Sequence, residues 1–136
     1  MTVQNLIAAQ TVLAVLPVGE DRKMLEDIFG QSNWKIRFAE SFQEVQEELR
    51  TSSIAAVISD GSFPGGTWKH LLFVLQQMPH PKPLIVADRL ADDRLWAEVL
   101  NLGGYDLLIK PFDTREVLRT VGLACSTRQN HTATAG

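Results

Sequence analysis

Short apolar runs at regular intervals are the dominant pattern of the chain. Four of them do not alternate cleanly with polar residues, which is typical of parallel strands covered on both faces. A fifth run alternates better and is predicted to form an edge strand. In chain order the predicted strands are "TVLAVL" (11–16), "WKIRFA" (34–39) at the edge, "IAAVIS" (54–59), "PLIVA" (83–87) and "DLLI" (106–109).

The intervals between these runs carry apolar residues at helical spacing. Strands and helices therefore alternate, which predicts an α/β fold with a doubly wound, five-stranded parallel sheet and right-handed crossovers. The second helix is marked by a capping-box pattern at Ser41 and Glu44. The apolar faces of the other four helices are Met24, Leu25, Ile28 and Phe29; Trp68, Leu71, Leu72 and Leu75; Leu95, Val99 and Leu102; and Val117, Leu118, Val121 and Cys125.

Length and composition fit a single globular domain. The chain has 136 residues, of which 45% are hydrophobic and 21% charged, and this is enough to bury a core but short for two domains. The pattern predicts a domain over residues 10–127, preceded by an extension at 1–9. The polar stretch 128–136 is predicted to be disordered.

Charge and cysteine content narrow the class of partner and the compartment. The net charge of −3 provides no basic surface for nucleic acid or an anionic membrane, so neither is expected as a partner. The single cysteine, Cys125, cannot form an internal disulfide, which fits a reducing compartment. No apolar run approaches the roughly 18 residues of a membrane span, and the first residues lack the order of a signal peptide. The expected location is cytoplasmic.

Two motifs lie at predicted strand ends. "VISDGSFPGGTW" (57–68) places Asp60 at the end of the third strand, followed by a loop with one proline and three glycines. "LGGYDLLIKPFD" (102–113) ends the fifth strand on Lys110-Pro111-Phe112. Turn chemistry alone explains an Asp in such a loop. In an open α/β sheet, however, the carboxyl ends of the strands are also where ligands bind.

In these two motifs, and over roughly residues 10–127, the chain resembles the receiver domains of two-component response regulators. The resemblance implies a flavodoxin-like receiver fold with strand order 2-1-3-4-5. It also implies that Asp60 is the residue that accepts a phosphoryl group from a histidine kinase, and that Lys110 contacts that group. The Lys110-Pro111 peptide bond is typically cis in the family. These roles suit the chemistry, since an aspartyl nucleophile must be accessible and a phosphoryl group requires a nearby cation.

The chain departs from the family pattern at the metal site. Receivers carry two adjacent acidic residues after the first strand, which hold Mg²⁺ together with the acceptor aspartate; here Leu16 and Pro17 stand at those positions. Mg²⁺ usually takes one or two carboxylates, and Asp60 is the best-placed candidate. Glu20 and Asp21 are further candidates if their loop folds back toward Asp60. The alternative is that they are acids stabilised by the helix dipole. Mg²⁺ is therefore expected to bind weakly.

Two further departures concern the switch that accompanies phosphorylation. The family has Thr or Ser at the end of the fourth strand, where this chain has Asp88, or Ala87 if the following loop is shorter in the family. Asp88 would repel an incoming phosphoryl group, pair with Lys110, or point to water. Leu107 occupies the position at which many receivers have a switching Tyr or Phe.

These observations lead to three hypotheses, none of which makes the chain a dedicated enzyme. The first is a stand-alone receiver-type signalling domain of a two-component phosphorelay, which binds a partner protein and is phosphorylated at Asp60 with impaired efficiency. The second is an ordinary Mg²⁺-dependent phosphoacceptor, and the third is a flavodoxin-like module for small molecules.

The expected partners are a histidine kinase or another signalling protein, or a second copy of the chain bound through the face of the fourth and fifth helices. On that face Trp96, Leu100 and Leu123 are predicted to border an apolar patch. The alternative for Trp96 is a place in the core.

Overall fold

The structure is a computed structural model that describes the backbone of residues 10–135 and the side chains of residues 10–126. The predicted extension at 1–9 lies outside the described residues, as does Gly136. The five strands of the main sheet are β1 (Thr11–Val15), β2 (Lys35–Ala39), β3 (Ala56–Asp60), β6 (Leu84–Asp88) and β7 (Asp106–Ile109). A small hairpin is formed by β4 (Ser62–Phe63) and β5 (Gly66–Thr67). The helices are α1 (Glu20–Gly30), α2 (Phe42–Thr51), α3 (Trp68–Gln76), α4 (Asp93–Leu102) and α5 (Thr114–Ala135).

All neighbouring strands of the main sheet are parallel, in the order β2-β1-β3-β6-β7. The hairpin adds two strand numbers, so β6 and β7 are the predicted fourth and fifth strands and the predicted order is confirmed. The predicted edge strand is β2, whose residues alternate between exposed and more buried positions. "DLLI" differs from the prediction because β7 is the other edge of the sheet. It is therefore covered incompletely, with Leu108 buried and Ile109 about half exposed.

Successive residues of the central strands point to opposite faces of the sheet, and each face has its own core. Val12 and Ala14 of β1 pack with α1 and α5, whereas Leu13 and Val15 pack with α2, α3 and α4. The two layers of helices therefore cover both faces of a doubly wound sheet.

The helix ends follow from local sequence. Ser41 accepts a hydrogen bond from the backbone of Glu44 at 3.2 Å and caps α2. Asp113 accepts one from the backbone of Glu116 at 3.0 Å at the start of α5. At the end of α4, Gly103 has φ +105, a left-handed conformation that suits glycine. Helix α5 continues to Ala135, through the stretch for which the sequence predicts disorder; the domain boundaries themselves stay predictions.

Candidate functional site

The two motifs meet at the carboxyl edge of the sheet. Asp60 is the last residue of β3 and Lys110 directly follows β7, with β6 between these strands. Their side chains form an ion pair, and they are largely buried, with 16% of the Asp60 side chain and 9% of the Lys110 side chain exposed. The Lys110-Pro111 peptide bond is cis, as the resemblance implies. The geometry joins the two residues, while their roles in phosphoryl transfer stay predictions.

Asp21 is the third charged residue of this site. It lies in the first turn of α1, and its Oδ2 accepts a hydrogen bond from Lys110 Nζ at 3.1 Å. A single ammonium group therefore bridges Asp60 and Asp21. Asp21 lies in the first helical turn, as the helix-dipole interpretation predicts, and it also reaches the Asp60–Lys110 pair; its role as a metal ligand stays a prediction. Glu20, its neighbour, is exposed.

Arg89 is a site residue that the sequence analysis missed. Its guanidinium donates to both carboxylate oxygens of Asp21, at 3.0 and 3.1 Å, and 58% of its side chain is exposed. It follows β6 directly, at the same sheet edge as Asp60. Its position immediately after a predicted strand could have identified it, because the carboxyl ends of parallel strands share one edge.

Asp88 and Ala87 both lie at the end of β6. Ala87 is the register partner of Asp60 and is buried, so it offers the site no polar side chain. Asp88 is partly buried, and its Oδ1 accepts a hydrogen bond from the backbone of Leu90 at 2.7 Å. Its other oxygen would lie 3.1 Å from a Cβ placed on Gly61. Asp88 is therefore the strand-end residue that presents a carboxylate next to the Asp60 loop.

The residues at the expected Mg²⁺ positions supply few carboxylate ligands. Leu16 is fully buried in the core between the sheet, α1 and α5, and Pro17 is exposed, so neither offers a carboxylate. Asp60 Oδ1 and Asp21 Oδ2 are both bound to Lys110 Nζ. Among the described residues, no group of three or more His, Cys, Asp or Glu side chains is arranged to hold a metal ion. The arrangement does not fit a receiver-type Mg²⁺ site, and the Mg²⁺ affinity stays a prediction.

The loop after Asp60 is fixed by close backbone contacts. Trp68 N–H donates to Gly61 O at 3.0 Å and closes the hairpin base, while Phe42 N–H of α2 donates to Pro64 O at 2.8 Å. A Cβ on Gly66 would lie 2.7 Å from the Phe42 ring. The glycine-rich sequence is therefore required where the hairpin packs against the start of α2.

The electrostatic environment of Asp60 is unfavourable to its charged form. Burial raises the pKa of the Asp60 carboxyl above its ordinary value; the ammonium of Lys110 opposes this shift, and the negative charges of Asp21 and Asp88 reinforce it. Asp60 is thus a carboxylate held in a crowded acidic setting that Lys110 compensates only in part.

Several solved structures of receiver domains are similar to this chain over most of its length. The signal receiver domain of an HD domain-containing protein from Pseudomonas fluorescens Pf-5 has a TM-score of 0.81 and 23% identity, covering 93% of both chains. A two-component response regulator from Clostridium difficile has a TM-score of 0.74 and 19% identity, covering 89% of this chain and 98% of its own. The signal receiver domain of a signal transduction histidine kinase from Syntrophus aciditrophicus has a TM-score of 0.74 and 21% identity, covering 87% and 91%. The chain has the receiver-domain fold.

No protein-family model matches the sequence, and no curated protein does. At identities of 19–23% the similarity to these structures concerns the fold, whereas the chemistry of the site depends on the residues that this chain carries there. No helix in the part of the chain that the structure describes is long and apolar enough to cross a bilayer.

The predicted partner surface lies on the outer sides of α4 and α5 of the receiver fold. Trp96 and Leu123 are about half exposed, at 48% and 49%, and Leu100 is at 36%. Trp96 is therefore not a core residue, and its indole N–H donates to Asp106 Oδ1 at 3.3 Å. Ile109, half exposed beside Trp96, was missed by the sequence analysis. Leu102 was predicted in the buried stripe of α4 and is also half exposed.

Proposed function

We propose that this chain is a receiver-type signalling module of a two-component phosphorelay that acts through protein–protein interaction. The observation that carries the proposal is the Asp60–Lys110 ion pair at the carboxyl ends of β3 and β7, within a fold shared with signal receiver domains. Asp60 is the phosphoacceptor and Lys110 the phosphoryl contact. The stand-alone arrangement and the cytoplasmic location stay predictions from the sequence.

We further propose that phosphorylation of Asp60 is impaired. Three features support this: Leu16 and Pro17 supply no metal ligand, Lys110 is shared with Asp21, and Asp88 adds negative charge near Asp60. Two unit charges about 4 Å apart interact by about 4 kcal/mol at an effective dielectric constant near 20. Repulsion of this order at Asp88 opposes the addition of a dianionic group to Asp60.

Phosphorylation is tested by incubating the protein with Mg²⁺ and acetyl phosphate and measuring the intact mass over time. Slow, substoichiometric gain of one phosphoryl group is expected, with none in Asp60→Asn. A receiver domain with both acidic residues, treated in parallel, provides the reference rate. Labelling at the reference rate would favour the ordinary phosphoacceptor over the impaired one. Labelling that persists in Asp60→Asn would reject Asp60 as the acceptor.

The exposed residues of α4, β7 and α5 are proposed as the partner surface. Trp96, Leu100, Ile109 and Leu123 place four partly exposed large apolar side chains on consecutive elements. Aromatic anchors such as Trp96 commonly dominate interface energetics. The partner is a histidine kinase or another signalling protein, with a homodimer through the same face as the alternative.

Replacing Trp96 separates an interface role from a structural one. Trp96→Ala should remain folded because half of its side chain is exposed, whereas Trp68→Ala, at 6% exposure, should lose about 3–5 kcal/mol of stability. Denaturant unfolding measures this difference. Sedimentation velocity and pull-down with candidate kinases then measure self-association and partner binding. A folded Trp96→Ala variant that associates as the wild type does would remove Trp96 from the interface.

A further inference from the structure

A continuous chain of charged groups crosses the carboxyl edge of the sheet. The ammonium of Lys110 contacts Asp60 and lies 3.1 Å from Asp21 Oδ2. The guanidinium of Arg89 donates hydrogen bonds to both oxygens of the same Asp21 carboxylate. The four residues come from β3, α1, the segment after β6 and the segment after β7. These contacts between charged groups therefore connect four separate elements around the candidate acceptor.

The charge balance of this cluster differs from that of the pattern it resembles. Two adjacent acids, an acceptor aspartate and one lysine leave two negative charges, which a divalent cation neutralises. Here three carboxylates, those of Asp21, Asp60 and Asp88, face two cations, Lys110 and Arg89, so that one negative charge remains. Arg89 thus adds a second positive charge at the site and lowers the electrostatic demand for a divalent ion, although solvent screens part of its effect because 58% of its side chain is exposed.

The position of Lys110 also matters. Its side chain is 9% exposed, and its ammonium contacts one oxygen of each carboxylate, Asp60 Oδ1 and Asp21 Oδ2. A Mg²⁺ ion bound to those same two oxygens would compete with a buried ammonium, and loss of that ammonium would break two ion pairs in a largely buried setting.

We propose that the Lys110 ammonium, shared between Asp60 and Asp21 and supported by Arg89, replaces the divalent cation as the counter-charge of this site. Asp21 is the positioning residue of the replacement, because it holds Lys110 and Arg89 together. The carboxyl edge of the sheet is thus held in one arrangement independently of divalent metal. This inference concerns the electrostatics of the site and does not depend on whether Asp60 accepts a phosphoryl group.

The test is whether removal of the internal cation creates a metal site. Lys110→Met leaves Asp21 and Asp60 without the ammonium that they share. The melting temperature of this variant should rise with millimolar Mn²⁺ or Mg²⁺, and its Mn²⁺ affinity should exceed that of the wild type at least tenfold. Lys69→Met is the matched control. Lys69 forms an ion pair with Glu98, with 2.6 Å between Nζ and Oε2, and neither residue belongs to the site. Equal metal responses of Lys110→Met and wild type would overturn the proposal.

The role of Asp21 is tested in the same background. Adding Asp21→Asn to Lys110→Met should abolish the gained Mn²⁺ affinity, whereas adding Asp27→Asn, at an exposed position on α1, should preserve it. A purely structural role of Asp21 would lower stability without changing metal affinity. Retention of the gained affinity in the Asp21→Asn double variant would therefore reject the assignment of Asp21.

A measurement on the wild type keeps the proposal falsifiable if Lys110→Met does not fold. Paramagnetic broadening by Mn²⁺ reports metal near individual backbone amides in the NMR spectrum. At Mn²⁺ concentrations that occupy ordinary receiver sites, the amides of Asp60, Gly61 and Asp88 should stay sharp. Selective broadening of these amides at micromolar Mn²⁺ would show that the ammonium does not exclude the metal.

Discussion

Neutralising Asp60 should stabilise the folded protein at neutral pH. Burial raises the pKa of Asp60 in the folded state, Lys110 opposes the shift and the charges of Asp21 and Asp88 reinforce it. A carboxyl whose folded pKa exceeds its unfolded value contributes stability that is complete below the unfolded pKa and is lost as the pH rises through the folded pKa. Asp60→Asn removes this titration. The free energy of unfolding of the variant should therefore exceed that of the wild type from about pH 4 upward, and the difference should persist at pH 7.

The size of the gain follows from the same linkage. Each unit by which the folded pKa exceeds the unfolded one corresponds to about 1.4 kcal/mol of stability, or about 4–6 °C in the melting temperature of a domain of this length. Breaking a buried ion pair commonly costs about 3–5 kcal/mol because it leaves one charge unpaired. That cost is reduced here, since Lys110 retains Asp21 at 3.1 Å. The balance favours stabilisation.

The assay is urea unfolding of wild type and Asp60→Asn at a series of pH values between 3 and 8. The stability difference should be small at the acid end, grow as Asp60 ionises in the wild type, and reach a plateau. Asp27→Asn, at an exposed position in α1, controls for the general change in net charge. A destabilised Asp60→Asn at pH 7, or a difference that does not vary with pH, would refute the reasoning.

Two further predictions concern neighbouring positions. Asp88→Asn removes a charge that raises the pKa of Asp60. The pKa of Asp60, measured by carbon-13 NMR of its carboxyl, should therefore fall, and labelling by acetyl phosphate should become faster. An unchanged Asp60 titration would contradict the role given to Asp88. Gly103→Ala should lower the free energy of unfolding by about 1 kcal/mol or more, because φ is +105 and the new Cβ would overlap the side-chain nitrogen of Gln76. Gly122→Ala lies in α5 with open space around it, so it should raise the free energy of unfolding by about 0.5–1 kcal/mol. Urea unfolding measures both changes.

The sequence predicted the fold and the central pair for the same physical reason. Five apolar runs separated by helical stripes leave few topologies open, since crossovers between parallel strands are right-handed. Once the strands are parallel, their carboxyl ends share an edge, and the strand order implied by the receiver resemblance leaves only one strand between those that end at Asp60 and Lys110. Local pattern was sufficient wherever position along a strand determined position in space.

The features that the sequence did not predict depend on positions that local pattern does not determine. The approach of Asp21 to Lys110 depends on the path of the segment between β1 and α1, which no periodicity encodes, and Arg89 reaches Asp21 through a long side chain. The helical period of apolar residues likewise predicts which face of a helix is buried, but it does not predict how wide the buried part of that face is. Because α4 packs against β7, which is an edge strand, part of its apolar face extends beyond the sheet, and Trp96 and Leu102 remain half exposed.

The two central perturbations should have opposite signs, and the contrast identifies what holds this edge together. Asp60→Asn leaves Lys110 paired with Asp21, so it removes crowding without isolating a cation. Lys110→Met leaves Asp60 and Asp21 facing each other without their shared cation, so it should destabilise the protein until a divalent ion is supplied. If the carboxylate of Asp60 were the organising group, Asp60→Asn would be the more damaging change. A stabilised Asp60→Asn and a metal-rescued Lys110→Met together would assign that role to the ammonium.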